Sequence, residues 1–497
     1  MAIVVGIDVG TQSTKTLWYD TELQETVALT QKAYSLIEKP DGSREQETSW
    51  WLDAVTACFA EVPAALRERV QAIGVSGQQH GFVPVDADGN VIRPVKLWND
   101  TSTSDECREL MDALGGEESL LAHEGNPILP GYTASKILWL KKHEPDSYRR
   151  LAHILLPHDY INYFLTGEYS MEYGDASGTG MLDVPSRTWS LRILEALDGE
   201  RDLRGLLPPL HDAHEPAGYV TGTAAGILGI PAGVLVSSGG GDNMMGALGT
   251  GSVRDGELTM SMGTSGTVFG SFSHPVIDPK ARLAAFCSSS GGWLPLLCTM
   301  NCTVATEKLR HFFKKGVKEF DELARQAPIG CDGLVMLPYF SGERTPNYPH
   351  GKACLMGLTG ENLTEAHMCR SAMEAAVFGL KYGLDAFHEL GFPVTGIRLI
   401  GGGANSSVWR QMVADICAVP VTVPHVAEAA AFGAALQAYW TWSRNKGTSL
   451  GLEDIVSRHV VLDTAKSCTP QKDHVEQYQE AYGRYLSYVE NVEPLFS

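Results

Sequence analysis

Long apolar runs are missing from this 497-residue chain, and none reaches the length needed to cross a bilayer, so a membrane-spanning class is set aside. Basic charge is also scarce: Lys+Arg 39 against Asp+Glu 59 leaves a net charge of -20. That balance opposes gripping a nucleic-acid backbone or an anionic membrane as a main activity. It leaves room for a small anion, which backbone amides and a metal ion can hold locally. The ten cysteines form no repeating framework, and the closest pair, Cys298 and Cys302, lacks zinc-site companions. Reduced thiols in a cytoplasmic protein are the expectation. The opening Met1-Ala2-Ile3-Val4-Val5-Gly6 has no basic leader, so no signal peptide is expected. Gly-Lys-Ser/Thr phosphate loops, His-Glu-x-x-His and Gly-x-Ser-x-Gly are all absent, which removes P-loop kinases, zincin proteases and α/β-hydrolases.

What is present is globular. Hydrophobic residues at 44% and charged residues at 20% argue against disorder. The length calls for two large domains, with the change placed just after Asp242, around Gly246 to Gly256, giving 1–246 and 247–497.

Near the middle, Val234-Leu235-Val236 reads as a buried strand and leads to Gly239-Gly240-Gly241-Asp242-Asn243. Glycines there let the backbone approach a ligand. Asp242 arrives at a strand's end, where open α/β sheets place ligands, and could accept a proton from a hydroxyl. By itself the segment reads first as an ordinary turn with a solvated carboxylate. At the N-terminus, Ile3–Val9 and Ser13–Asp20 flank Gly10-Thr11-Gln12, a hairpin whose tip offers N–H groups and hydroxyls suited to phosphate oxygens. Asp8 beside that tip would repel a phosphate unless a magnesium ion stood between them. A second strand, turn and strand, Leu258–Phe269, repeats the pattern around Gly263-Thr264-Ser265, which suggests an internal duplication and an anion gripped from both sides of a cleft.

Other segments fill the frame. A strand is expected near Val27–Tyr34 and a helix from Trp50 to about Ala65. Val70–Gly81 reads as a strand ending in the loop Gly77-Gln78-Gln79-His80-Gly81, whose amides and imidazole suit sugar hydroxyls. Leu97-Trp98-Asn99-Asp100 adds an aromatic face, an amide and a carboxylate. Gly131–His143 reads as a helix on which Lys136 lays its stem over apolar surface. The stretch from Pro208 to Gly233 is expected to be a flexible lead-in, Ala366–Leu390 a long helix, and Glu428–Trp440 an alanine-rich helix with a close-packing face. Gly401-Gly402-Gly403-Ala404-Asn405 joins a strand to a helix start, and the tail after Asp473 is expected to be a peripheral helix.

Together, Asp8-x-Gly10-Thr11, Ser261-Met262-Gly263-Thr264-Ser265 and Ile400-Gly401-Gly402-Gly403-Ala404 resemble the two phosphate loops and the adenosine loop of the actin-like ATPase superfamily. Gly131-Tyr132-Thr133-Ala134-Ser135-Lys136-Ile137-Leu138-Trp139 and the Gly-Gly-Gly-Asp242-Asn243 segment are similar to its sugar-kinase branch, the FGGY carbohydrate kinases. Gln79-His80, Leu97–Asp100 and Ser341-Gly342-Glu343-Arg344-Thr345-Pro346 look most like the members that act on xylulose; glycerol-specific members usually carry Arg-Glu where Gln79-His80 stand. One departure is that Thr101-Ser102-Thr103 stand where many relatives have an Arg.

The resemblance implies an α/β fold of two duplicated ribonuclease-H-like (actin-like ATPase) domains that close on a sugar in the cleft between them. It implies transfer of the ATP γ-phosphoryl to a ketopentose hydroxyl, O5 of D-xylulose, with Mg²⁺ as cofactor. Asp242 would be the general base, with Asp8 as the other catalytic carboxylate. Both would serve the metal, Asp8 through water. Gln79, His80, Trp98, Asp100, Asp242 and Asn243 would meet the sugar. Gly10, Thr11, Gln12, Lys15, Gly263, Thr264 and Ser265 would meet the phosphates, and Gly401, Gly402, Gly403 and Asn405 the adenosine. A homodimer is expected from family likeness alone. A kinase for ribulose or another ketose, or a chaperone-like ATPase module without a sugar substrate, are the alternatives.

Overall fold

The computed structural model describes residues 2–496, and they gather into two compact units. The first comprises Met1–Val253, Ser271–Pro295 and Glu428–Val460; the second comprises Arg254–Gly270, Leu296–Ala427 and Val461–Ser497.

In the first unit, β1 (Ile3–Val9), β2 (Ser13–Asp20) and β3 (Glu25–Ala33) form an antiparallel meander. The chain then crosses over, and β4 (Val70–Gly77) joins β1 in parallel. Finally β5 (Pro216–Tyr219) and β6 (Leu235–Ser237) complete the order β5-β6-β4-β1-β2-β3, with β6 parallel to β4 and β5 antiparallel to β6. The short strand Gly240–Gly241 pairs with the end of β4. β1 and β4 are covered on both faces and read accordingly as Val/Ile runs, such as Ile3, Val5, Ile7, Ile73 and Val75, all without solvent contact.

The second unit repeats this pairing pattern, although its last two strands follow the opposite chain order. Its strands are β7 (Glu257–Met262), β8 (Gly266–Phe269), β9 (Trp293–Thr299), β10 (Gly396–Ile400), β11 (Val421–Pro424) and β12 (Leu462–Cys468). They run β9-β8-β7-β10-β11-β12, antiparallel across β9-β8-β7, parallel across β7-β10-β11 and antiparallel again at β12. The duplication anticipated from the two Gly-Thr turns is therefore present in the pairing itself.

Among the helices are α1 (Thr133–His143), α2 (Pro157–Thr166), α3 (Asp242–Thr250), α4 (Thr303–Phe312), α5 (Glu365–Glu389), α6 (Ser407–Cys417), α7 (Ala429–Asn445) and α8 (Lys472–Val492). The boundary expected at 246/247 falls inside α3, and the first crossing between units lies at Val253/Arg254. The α7 helix, which follows the second unit's β11 in sequence, groups with the first unit. The cause is packing without side chains: a Cβ on Gly6 of β1 would lie 1.7 Å from the Ala431 carbonyl oxygen, and one on Gly433 would lie 1.8 Å from that of Met245. Backbones this close exclude any residue but glycine.

Three further expectations change. The helix opening at Thr48 stops at Ala60, and Pro63 separates it from the turn Ala64–Arg67. The lead-in Pro208–Gly233 is ordered into β5 and the helix Gly222–Leu228, whose first turn is capped when the Ala224 N–H donates to Thr221 Oγ1 (3.2 Å). The tail helix α8 is not peripheral: Tyr478, Tyr482 and Tyr485 are buried, with Phe378 of α5 against the Tyr482 and Tyr485 rings at 5.6 and 5.4 Å. All ten cysteines are free thiols. Among the described residues no helix is long and apolar enough to cross a membrane.

Candidate active site

Residue pairing sets the first unit's site at the carboxyl ends of its central strands. Asp8 on β1 lies opposite Ser76 on β4, and Ser76 in turn lies opposite Gly240. Ser76 Oγ donates to Asp8 Oδ1 (2.9 Å). Two residues beyond Gly240, Asp242 opens α3 and is half-buried. Burial, then the negative charges of Asp8 and Asp175, push its pKa up to about 7. Burial likewise raises Asp8 to about 6, against the Ser76 hydrogen bond and the Lys15 charge. Asp242 Oδ1 accepts from the Asn243 backbone N–H (2.8 Å) and from Asn243 Nδ2 (3.0 Å).

The Gln-Gln-His loop joins this group. Asn243 Nδ2 also donates to Gln79 Oε1 (2.9 Å), which puts the loop's amide beside Asp242. The buried Gln79 Nε2 has no hydrogen-bond partner among the described residues, an orphaned donor at the site. His80 takes a left-handed backbone (φ 65) and packs its ring against Tyr132 at 4.7 Å and Phe286 at 5.7 Å. Trp98, 38% exposed, donates from Nε1 to Thr11 Oγ1 (2.9 Å), and Thr11 Oγ1 donates to Gln78 Oε1 (3.1 Å). Gln78 Nε2 donates to Gln46 Oε1 (2.9 Å), whose Nε2 reaches the Thr11 carbonyl (2.7 Å). The hairpin tip, the indole and the Gln78-Gln79-His80 loop are thus one hydrogen-bonded assembly. The tip itself leaves Gln12 exposed and Gly10 and Thr11 half-exposed.

Three expectations are corrected. Asp100 has no solvent exposure, and both its oxygens are used: Oδ2 accepts from the Arg44 N–H (2.9 Å) and Lys96 Nζ (3.2 Å), Oδ1 from Ser102 N–H (3.0 Å) and Ser102 Oγ (2.6 Å). It braces the loop and has nothing to offer a sugar. Lys136 does not lie along a surface; it is wholly buried, with its ammonium on two main-chain carbonyls. Lys15, expected at the phosphates, is ion-paired with Glu428 at the start of α7.

Sequence reasoning missed the groups behind this site. His158 on α2 has Asp175 at 2.7 Å from Nδ1 and Asp159 at 2.9 Å from Nε2, all three buried. Burial alone would lower its pKa, but the two carboxylates outweigh burial and hold it well above its ordinary value. Nearby Glu172 is pushed up to about 7 by burial. Only His158 and Asp159 adjoin in sequence; Glu172 and Asp175 come from a later strand and helical turn, and no motif spacing signals the cluster.

In the second unit, Thr264 and Ser265 are exposed at the turn between β7 and β8. The Thr303 N–H donates to the Gly263 carbonyl (3.0 Å), so α4 begins against that turn. A pocket of about 540 Å³ opens there, lined by Thr264, Thr303, Val304, Glu307, Lys308 and His311. The α4 residues of this pocket were not foreseen. Gly401 (φ +84) sits against the end of β7, where a Cβ would lie 2.6 Å from the Met262 carbonyl oxygen. Gly401, Gly402 and Asn405 are exposed beside it, and Gly403 is buried.

Residues 3–249 match the N-terminal domain of the FGGY family of carbohydrate kinases, and residues 258–442 match its C-terminal domain. The chain belongs to the FGGY carbohydrate kinase family. It is 40% identical to the xylulose kinase of Haemophilus influenzae over 98% of this chain and 99% of that one. With the xylulose kinase of Escherichia coli K12 the identity is 34%, covering 83% of this chain and 84% of that one. The crystal structure of xylulose kinase from Rhodospirillum rubrum matches with a TM-score of 0.90 at 28% identity, over 99% of both chains. The duplicated α/β architecture is that of this sugar-kinase family.

Proposed function

We propose that the protein transfers the γ-phosphoryl of ATP to the O5 hydroxyl of D-xylulose, with Asp242 as general base. The observation that carries this reading is the trio Asp242, Asn243 and Gln79: a carboxylate at the start of α3, fixed by one amide to a second amide whose buried donor is open. A carboxylate held there can take a hydroxyl proton as the oxygen attacks. The open Gln79 Nε2 supplies a donor for a sugar hydroxyl, and the exposed indole of Trp98 supplies an apolar wall. The His80 imidazole completes the sugar contacts. The named activity of the Haemophilus and Escherichia relatives favours xylulose among the ketoses.

Phosphoryl transfer depends on positioning and charge neutralisation. Gly10, Thr11 and Gln12 in the first unit and Gly263, Thr264 and Ser265 in the second offer N–H and hydroxyl donors to phosphates. Gly401, Gly402, Gly403 and Asn405 flank the adenosine. The α4 pocket beside Thr264 extends the nucleotide surface of the second unit. Among the described residues no group of three or more His, Cys, Asp or Glu forms a metal cage. A pair of carboxylates, Asp8 and Asp242, one raising the pKa of the other, is instead what a Mg²⁺ shared with phosphate oxygens and water requires. These two residues would hold it, and the ion would supply neutralisation of the phosphate charge.

The test is a panel of pentuloses and hexuloses with ATP, compared by kcat/KM, with the product located by phosphorus NMR. D-xylulose 5-phosphate as the preferred product is expected. A higher kcat/KM for D- or L-ribulose would replace the substrate, and sugar-independent ATP turnover alone would replace the reaction.

A further inference from the structure

Lys136 is the one lysine of α1 with no solvent exposure. Its Nζ donates to the carbonyl of His80 (2.7 Å) and to that of Gly131 (2.7 Å). No carboxylate is hydrogen-bonded to it among the described residues. Burial pushes its pKa down to about 7, with Asp100 opposing and Lys96 adding to the fall. A buried ammonium bonded only to main-chain oxygens costs more folding free energy than an apolar side chain of the same shape. Its value to the molecule therefore lies in what it holds.

What it holds are two backbone turns that face the sugar site. The first is His80, whose left-handed φ of 65 is unfavourable for a residue with a Cβ. Thr133 Oγ1 donates to the same His80 carbonyl (3.1 Å), so two donors from one helix turn fix this peptide. The second is Gly131, which has no space for a side chain because a Cβ would lie 2.2 Å from the Trp98 carbonyl oxygen. Lys136 thus joins the imidazole's peptide to the segment on which the Trp98 backbone rests.

We propose that Lys136 is a positioning residue for the sugar site: its ammonium clamps the His80 and Gly131 carbonyls and so fixes the imidazole and the Trp98 indole relative to one another. This rests on the reading of the first unit as the sugar-binding half. The clamp acts first on ketose binding and reaches the nucleotide side only through the Trp98–Thr11 hydrogen bond.

The experiment compares the full-length wild type with Lys136→Met, Lys136→Gln and Thr133→Val by two readouts. In Lys136→Met, amide hydrogen exchange in the peptide covering 77–82 should rise about tenfold or more, with the remaining first-unit peptides within about twofold. The KM for D-xylulose should rise by about tenfold, with the KM for ATP within about twofold. Lys136→Gln, which keeps two N–H donors, should fall between, and Thr133→Val should move both readouts the same way by less. If Lys136→Met does not fold, the same ranking of Gln and Val variants decides the matter. Unchanged exchange at 77–82, or equal rises in both KM values, would overturn the proposal. If exchange responds while the wild type phosphorylates no ketose, the clamp stands and the functional reading falls.

Discussion

Asp242 and Glu172 show how far a carboxylate can be carried from its ordinary pKa when protein surrounds it. Burial raises Glu172 from 4.5 to about 7. The folded protein therefore binds this proton more tightly than the unfolded chain does. The resulting stabilisation is complete below about pH 4.5 and is lost as pH rises through about 7. Glu172→Gln removes the penalty. It should raise unfolding free energy at pH 8 by on the order of 2 kcal/mol and leave it nearly unchanged at pH 4, measured by denaturant melts at both pH values. Legibility at this scale follows sequence neighbourhood. Asp8 and Asp242 stand out in the sequence because each adjoins a glycine-rich turn, and the fold brings them close enough for their charges to interact. Asp100 does not: Lys96 and Ser102 are near it in sequence, but only the fold shows that they and the Arg44 peptide use both its oxygens. Lys136 was misread for the same reason, since its acceptors lie on a turn 56 residues away and on one five residues away.

Among elements, strands and long helices were readable because each is strongly periodic or wholly apolar. β1 and β4 are rich in Val and Ile between small residues, and the middle of α5 is dominated by small and apolar residues. The errors concern depth. α8 alternates polar residues with tyrosines, a pattern that looks exposed until Phe378 is found beneath it. The association of α3 with α7 is a different kind of contact, with glycine at its centre. A Cβ on Gly249 would lie 1.9 Å from the Ala429 carbonyl oxygen, the counterpart of the Gly433 approach to Met245. Gly433→Ala must therefore push the helices apart. A loss of about 2 kcal/mol or more in a thermal or denaturant melt is expected, typical of overpacking in a close-packed core. Because α3 begins at Asp242, turnover should fall with it; a Gly433→Ala protein as stable as wild type would show that the helices have slack.

For the whole molecule, the two Gly-Thr turns announced a duplicated architecture, and the strand pairing repeats in both units. The path of the chain between units was not announced. Nothing local in Glu428–Val460 says that it belongs with the first 253 residues; the glycine contacts of β1, α3 and α7, the Lys15–Glu428 ion pair and the hydrogen bonds of Gln437 to Ser237 and Gly239 assign it. A fragment ending at Val253 would thus leave β1 and β4 without one of their covering helices. It should lack cooperative unfolding and show amide exchange far above that of the intact chain. A fragment that melts cooperatively would refute the assignment of α7 as an integral part of that unit's core.

The account stands on the proton-accepting role of Asp242, and the direct measurement is the Asp242→Asn protein, assayed for turnover and for D-xylulose binding in the same preparation. The asparagine keeps the acceptor oxygen for Asn243 but cannot take a proton. Turnover should fall by on the order of 10²-fold or more, while the D-xylulose Kd stays within about threefold. Turnover within a few-fold of wild type, with binding intact, would contradict the account.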